Sequence, residues 1–124
     1  MAAVLSDEMI ARLETQQVLW VSSVRANGRP HLAPIWFVWY AGKVYLATEP
    51  GSVKARNIRR SPFVSLALED GVHPVICEGT ARLIEKPWDE GMVAAFFKKY
   101  EWNLNTEQQY HQVIEVTPEK WLAW

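Results

Sequence analysis

The apolar residues of this chain follow two periods, one typical of strands and one typical of helices. Segments rich in β-branched and aromatic residues predict six strands, at residues 18–25, 31–40, 43–48, 63–68, 74–83 and 110–116. Helical spacing of apolar residues predicts three helices, at residues 6–15, 52–60 and 86–99. After the last strand, residues 121–124 form an aromatic tail. The pattern thus predicts many short strands and few helices.

This order of elements predicts a mainly β (α+β) fold. Strands joined mostly by short turns, such as the one at Asn27-Gly28, favour an antiparallel sheet that closes into a small six-stranded barrel. A chain of 124 residues is most simply one domain, residues 1–124. Pro34 lies inside the second strand and has no N–H. The ladder must therefore be interrupted or bulged there, or the strand must lie at an edge.

A basic segment follows the third strand, after the turn Thr48-Glu49-Pro50-Gly51-Ser52. Ser52 can cap the helix that begins there, and a helix start presents free N–H groups and a positive dipole end. Lys54 and Arg56 add cations where acids are usually favoured, which suits a bound anion. We interpret this turn as a phosphate site. The plainer alternative is a solvated surface helix after a tight turn.

Overall charge argues for a local anion over a nucleic acid. Thirteen Lys and Arg balance fourteen Asp and Glu, so the chain lacks the basic excess of a surface that follows a phosphate backbone. The longest apolar run, residues 32–41, is too short to span a bilayer, and the first residues do not resemble a signal peptide. A single cysteine, Cys77, excludes a disulfide within the chain and fits a reducing compartment. We expect no membrane partner and a cytoplasmic location.

Few residues offer chemistry of their own. His31, His73 and His111 lie on separate segments without a second ligand at metal spacing, so no metal site is expected. Cys77 has no basic neighbour in sequence, no serine lies in a nucleophile motif, and no catalytic residue is predicted. An anion-binding turn beside strongly aromatic strands suits a protein whose reactive atoms belong to a cofactor.

A flat cofactor with a phosphate tail would use both features. We expect its phosphate at Thr48, Ser52 and Lys54, and its ring against the backbone of Ile35, Trp36 and Phe37. Seven tryptophans are too many for one small core, so several should line a ligand cleft or an interface.

Five segments in this order resemble the pyridoxamine 5'-phosphate oxidase-like superfamily of flavin-binding split barrels. They are residues 28–31, 34–37, 48–58, 61–66 and 78–81, and the resemblance covers residues 5 to 85 well and the tail loosely. It implies a split β-barrel homodimer with two flavin sites at the interface, each built from both subunits. Lys54 would contact the phosphate with help from Thr48 and Ser52, and residues 35–37 would contact the ring. Residues 75–77 and the tail would be candidates for the wall that the partner subunit supplies to each flavin site.

Two departures separate this chain from the oxidases that give the superfamily its name. Val53 stands where they have a second basic residue before the lysine, and residues 119–124 do not match their substrate-binding segment. The chain is more similar to the short relatives that bind FMN or the deazaflavin coenzyme F-420. The acidic tail of F-420 could use Arg56, Arg59 and Arg60, although a solvated helix face explains those residues equally well. FMN is slightly favoured.

Three functions remain open at this point. The first is an oxidoreductase that moves hydride or electrons between the flavin and a small-molecule substrate. The second is a non-enzymatic carrier of flavin or haem, where haem would need an axial histidine. The third is an interaction domain whose aromatic residues form only a dimer interface.

Overall fold

The computed structural model describes residues 2–124, and it contains seven strands and three helices. The strands are β1 Ala2–Ala3, β2 Val18–Val24, β3 Pro30–Tyr40, β4 Lys43–Thr48, β5 Phe63–Leu68, β6 Val75–Ile84 and β7 Gln112–Ala123. The helices are α1 Asp7–Thr15, α2 Val53–Arg60 and α3 Glu90–Tyr100. Each helix begins after a side chain that accepts a hydrogen bond from its first turn, namely Ser6, Ser52 and Asp89.

Six strands close into an antiparallel barrel, which confirms the predicted fold. Around the barrel the order is β2, β3, β4, β7, β6, β5 and back to β2, and every neighbouring pair is antiparallel. β1 is an addition that the sequence pattern did not predict, and it pairs with the last part of β7 at Leu122 and Trp121. Among the described residues, no helix is long and apolar enough to cross a membrane.

The last strand is longer than predicted. Its pattern predicted a strand that ends at residue 116 and a separate aromatic tail, whereas β7 continues through Pro118 to Ala123. Pro118 is accommodated because the β6–β7 ladder shifts register at Glu78 and Gly79, where a bulge removes the need for regular pairing. Gly79 permits this close approach, since a Cβ there would collide with the Thr117 carbonyl oxygen.

Two apolar clusters hold the molecule together. One fills the barrel, and the other lies between the outer face of β3, β4 and β7 and helix α3. The buried residues of α3 are Met92 and Phe96, whereas Phe97 is 57% exposed. Lys99 follows Phe96 by three residues and therefore lies on the buried face instead.

Candidate functional site

Strand β3 extends beyond β4 and leaves an open edge. β2 pairs with β3 from Pro30 to Trp36, whereas β4 pairs with β3 only from Phe37 onward. Pro34 therefore lies where β3 has a strand on one side only. Of the alternatives that the sequence allowed, an interrupted ladder, a bulge or an edge, the structure has the edge. A missing N–H costs no ladder bond at such an edge. The split in the barrel wall begins here.

A cleft of about 670 Å³ opens beside this edge and collects most of the predicted site residues. It is lined by Pro34, Ile35, Trp36, Ala47, Thr48, Lys54, Trp102, Glu107, Gln109 and Tyr110. The structure thus brings together the end of β4, the first turn of α2 and the open edge of β3, as predicted. The opposite wall comes from the loop after α3.

Trp36 directs its backbone toward the cleft, whereas Phe37 does not. The Phe37 N–H donates to the Tyr100 hydroxyl at 3.0 Å, and its carbonyl accepts from Lys99 Nζ at 3.0 Å. The Tyr100 hydroxyl also lies 2.7 Å from the carbonyl oxygen of Gln17, just before β2, so these groups face the β2 side. Because backbone groups alternate between strand edges, those of Trp36 face the open side. Of the three predicted ring contacts, Trp36 is the one whose backbone groups face the open side of β3.

The first turn of α2 forms the end of the cleft where the sequence predicts a phosphate, called the phosphate end below. Ser52 Oγ accepts from the Ala55 N–H at 3.2 Å and leaves its own proton available to a ligand. The N–H groups of Val53 and Lys54, in the same turn, have no acceptor within a helix. Thr48 ends β4 beside them and is 5% exposed. These groups can donate several hydrogen bonds to one anion.

Lys54 is half-buried and has no carboxylate partner within 4.0 Å. The ion pairs of the described residues join Arg12 to Asp70, and Lys43 and Arg82 to Glu115. Burial lowers the pKa of Lys54, while the Glu49 carboxylate opposes that shift. A partly desolvated ammonium without a counter-ion favours a bound anion.

His31 and Arg25 lie near this end of the cleft. Burial lowers the pKa of His31, and the positive charges of Arg25 and Lys54 lower it further. His31 Nδ1 is buried and has no hydrogen-bond partner within residues 2–124. Arg25 and Lys54 therefore concentrate positive potential here, and the lowered pKa of His31 keeps that imidazole uncharged at neutral pH. Sequence analysis missed this position of His31, because only folding brings β3 and α2 together.

Helix α2 is fastened to β2 by a side chain that the sequence pattern gave no reason to select. Asn57 is 3% exposed, and its Nδ2 donates to Ser23 Oγ at 3.0 Å. Arg60 donates to the Val24 carbonyl at 2.8 Å and to Asn57 Oδ1 at 3.0 Å. Arg60 is therefore engaged, whereas Arg56 and Arg59 are exposed on the helix surface outside the cleft lining.

Aromatic side chains line the end of the cleft near Trp36, where the sequence predicts the ring of a cofactor; it is called the ring end below. Trp36 stacks on Tyr100 with centroids 4.4 Å apart, and Trp102 meets it edge-on at 5.9 Å. Trp102 in turn contacts Phe96 at 5.7 Å and Tyr110 at 6.4 Å. Two of the seven tryptophans thus line the cleft, in agreement with the expectation from their number. Trp102 and Tyr110 were not selected from the sequence, although their aromatic character near a predicted loop was a usable hint.

Glu107 and Glu115 are both bonded to other groups, and of the two Glu107 is the one that lines the cleft. Glu107 accepts from Trp102 Nε1 and from two backbone N–H groups, which hold its pKa below the usual value. Burial raises the pKa of Glu115, but bonds from Arg82 and Tyr45 outweigh it, and the net pKa is lowered. Both acids are therefore charged at neutral pH and bonded. The described residues contain no cluster that could hold a metal ion.

Comparison with known proteins agrees with this architecture. A model of the pyridoxamine 5'-phosphate oxidase family matches residues 5–124. The chain belongs to this family. A search of curated proteins finds no match. Members of this family have the split-barrel fold. The resemblance that was inferred from the sequence motifs is thereby confirmed.

Solved structures show the same fold at low identity. A conserved hypothetical protein from Mycobacterium tuberculosis matches with a TM-score of 0.81 and 24% identity, over 99% of this chain and 86% of that one. HutZ, the heme storage protein from Vibrio cholerae, matches with a TM-score of 0.80 and 18% identity, over 98% of this chain and 95% of that one. An F-420 reductase matches with a TM-score of 0.72 and 19% identity, over 90% of this chain and 94% of that one. The same fold is thus found in a reductase and in a heme storage protein.

Proposed function

We propose that this protein is a flavin-dependent oxidoreductase that binds FMN in the cleft between β3, α2 and the loop after α3. The observation that carries the proposal is Lys54, a half-buried cation without a carboxylate partner at a helix start. It lies in the same cleft as Trp36 and Trp102. An anion site next to an aromatic wall fits a flat ring that carries a phosphate.

The residues of the first α2 turn would hold the phosphate. Lys54 supplies the charge, and the hydroxyls of Ser52 and Thr48 and the free helix N–H groups supply hydrogen bonds. Arg25, directly after β2, adds positive potential, whereas His31 on β3 has a lowered pKa and stays uncharged at neutral pH. Arg56, which was predicted to assist, is exposed outside the cleft lining and is expected to contribute only long-range charge.

The ring would lie against Ile35 and Trp36 on the open edge of β3. When bound, a flavin accepts and donates hydride or single electrons. The chain itself binds and orients the ring and excludes water from one side of it, since the carboxylates near the cleft are already bonded. The substrate is a small molecule. Oxidation of pyridoxamine phosphate is not proposed, because Val53 and residues 119–124 depart from that enzyme's pattern.

F-420 is the alternative coenzyme, because it also carries a phosphate. Its acidic tail would need cations outside the cleft. Arg56 and Arg59 are exposed and could serve, whereas Arg60 is engaged with Val24 and Asn57. FMN is favoured slightly, since it needs nothing beyond the cleft itself.

A non-enzymatic flavin or haem carrier is the second candidate function. The residues that line the cleft include no histidine, and His31, His73 and His111 all lie outside it. Tyr110 is the lining residue of a type that can ligate haem iron. A flavin carrier would use the same groups as the oxidoreductase, and turnover of a substrate separates the two. The single buried Cys77 supports a reducing, cytoplasmic location.

A homodimer is also proposed, because a large apolar face adjoins the cleft. Trp20 is 37%, Leu32 63% and Phe63 64% exposed, on neighbouring strands β2, β3 and β5. Pro34 lies opposite Trp20 and also lines the cleft, so a second copy on this face would cover the cleft rim. Val75 and Cys77, expected in the partner's wall, are instead buried inside the barrel.

Sedimentation tests the dimer directly. Leu32→Glu should convert a dimer to a monomer, while Val72→Glu, 75% exposed on a turn, should leave it intact. A wild-type monomer at about micromolar concentration with FMN present would refute the dimer.

Binding of FMN and of riboflavin, which lacks the phosphate, tests the flavin proposal. Lys54→Met should weaken FMN binding by about tenfold or more and leave riboflavin unchanged, because one charge-assisted contact is lost. Arg59→Met is the matched control, since it removes a cation from the exposed side of the same helix. Equal FMN affinity in wild type and Lys54→Met would remove the phosphate site.

A further inference from the structure

The outer wall of the cleft is a single loop, residues 102–110, called the outer loop below. It supplies Trp102, Glu107, Gln109 and Tyr110 to the lining. It has no helix or strand of its own. Apart from the turn hydrogen bonds that the N–H groups of Thr106 and Glu107 donate to the carbonyls of Asn103 and Leu104, side-chain contacts fix its shape. Leu104 anchors its beginning, since that side chain is fully buried in the cluster under α3.

Glu107 holds the rest of the loop. Its Oε1 accepts from Trp102 Nε1 at 2.6 Å, and its Oε2 accepts from the backbone N–H groups of Gln109 at 2.9 Å and Tyr110 at 3.0 Å. All three donors belong to residues that line the cleft. One carboxylate therefore joins the two aromatic side chains of the wall, one through its ring and one through its backbone.

The outer loop also reaches the phosphate end. Gln109 Nε2 donates to Glu49 Oε1 at 3.2 Å, across the mouth of the cleft. Glu49 belongs to the turn that precedes α2 and opposes the lowered pKa of Lys54. Glu107 is thus connected to both ends of the cleft, but its direct contacts are all at the aromatic end.

We propose that Glu107 is a positioning residue that holds Trp102 and Tyr110 in place as the outer wall of the cleft, next to Trp36, and that a flat ring packs against this wall. The inference rests on the proposed flavin site and assigns the ring end of that site to Glu107, separately from Lys54 at the phosphate end. Without the carboxylate, the loop keeps its Leu104 anchor and loses the bonds that orient both aromatic residues. Ring binding then weakens, whether or not the ligand carries a phosphate.

Affinities for FMN and riboflavin separate the two ends. Glu107→Ala should weaken both ligands by the same factor, about tenfold, since aromatic contacts each contribute modestly. The ratio of the two affinities stays at the wild-type value. Lys54→Met should have the opposite effect and change the ratio while riboflavin affinity is kept. Thermal unfolding of each variant verifies that it is folded.

Asp70 provides a matched control. Its Oδ1 accepts from the backbone N–H groups of Val72 and His73 at 2.8 Å and 3.2 Å, in a turn that does not line the cleft. Asp70→Ala removes a comparable loop carboxylate and should leave both affinities within about twofold. Glu107→Gln, which keeps one acceptor oxygen, should fall between wild type and Glu107→Ala, and it replaces the alanine variant if that one does not fold.

The outcomes are distinct. Unchanged affinity for both flavins in Glu107→Ala and Glu107→Gln overturns this inference and leaves the flavin site standing. A loss confined to FMN also overturns it, because the effect would then act at the phosphate end through Gln109 and Glu49. If wild type binds neither flavin, the proposed function fails, and the role of Glu107 fails with it.

Discussion

The ring of Tyr100 lies parallel to the indole of Trp36, with centroids 4.4 Å apart and an interplanar angle of 5°. The hydroxyl at its far end is held by the Phe37 N–H and lies 2.7 Å from the Gln17 carbonyl oxygen. Tyr100 thus completes the β2–β3 ladder at the point where β2 begins. The last residue of α3 thereby fixes a side chain of the cleft, which joins the site to the fold.

Removing the Tyr100 hydroxyl should destabilise the protein while the stacked ring stays. Tyr100→Phe leaves the Phe37 N–H without its acceptor, so we expect the free energy of unfolding to fall by about 1–2 kcal/mol. Denaturant titration measures this. Tyr110→Phe, at a side chain that is 43% exposed, is the control and should change stability little. Equal stability of wild type and Tyr100→Phe would contradict the role assigned to this hydroxyl.

Lys99 should make stability depend on pH. Burial lowers its pKa to about 8 from the ordinary 10.5, so between these values the unfolded chain binds the proton more tightly than the folded one. The contribution of Lys99 to stability therefore rises with pH across this window. Unfolding free energies of wild type and Lys99→Met, from about pH 7 to about pH 10, should differ increasingly in favour of wild type. A difference that does not vary with pH would show that Lys99 has an ordinary pKa.

A glycine in the turn between β3 and β4 should stabilise the protein. Ala41 has φ of 52°, a left-handed conformation that costs a residue with a Cβ. Ala41→Gly should raise the free energy of unfolding by about 0.5–1 kcal/mol. Ala26→Gly, in the β2–β3 turn where φ is not positive, should lower it slightly. A loss of stability in Ala41→Gly would show that this turn is not strained.

The bulge between β6 and β7 should depend on Gly79. A Cβ at this position would collide with the Thr117 carbonyl oxygen, which is backbone and cannot rotate away. Gly79→Ala should therefore lower the free energy of unfolding by about 2 kcal/mol or more. Gly71→Ala enters open space and serves as the control. Similar melting temperatures for the two variants would mean that the bulge adjusts easily.

The barrel was predictable because its strands carry local information. Bounds for β4 and β5 agree with the prediction, and the α2 helix and its Ser52 cap follow from the turn before them. The continuation of β7 through Pro118 was not predictable. A proline normally ends a ladder, and the bulge that admits it depends on Gly79, about forty residues away in sequence.

The outer loop is the part of the cleft that was not predicted from the sequence. Thr48, Ser52 and Lys54 lie within seven residues, so a local pattern could mark them as a candidate phosphate site, and residues 35–37 were marked as candidate ring contacts. The outer loop reaches the same cleft through contacts such as Gln109 to Glu49, which are separated by 60 residues. No motif marks Glu107, because its three donors are ordinary backbone and indole N–H groups. The outer loop can therefore be recognised as a wall of the cleft only from the folded structure.

The most direct test of the account is titration of the wild-type protein with FMN, followed by flavin absorption and fluorescence, with F-420 and haem added to separate samples. We predict saturable binding of FMN with one site per chain, and a much weaker isotherm for Lys54→Met. Binding of F-420 alone would keep the site and change the coenzyme. Binding of haem alone, or of none of the three, would contradict the claim that this cleft is a flavin site.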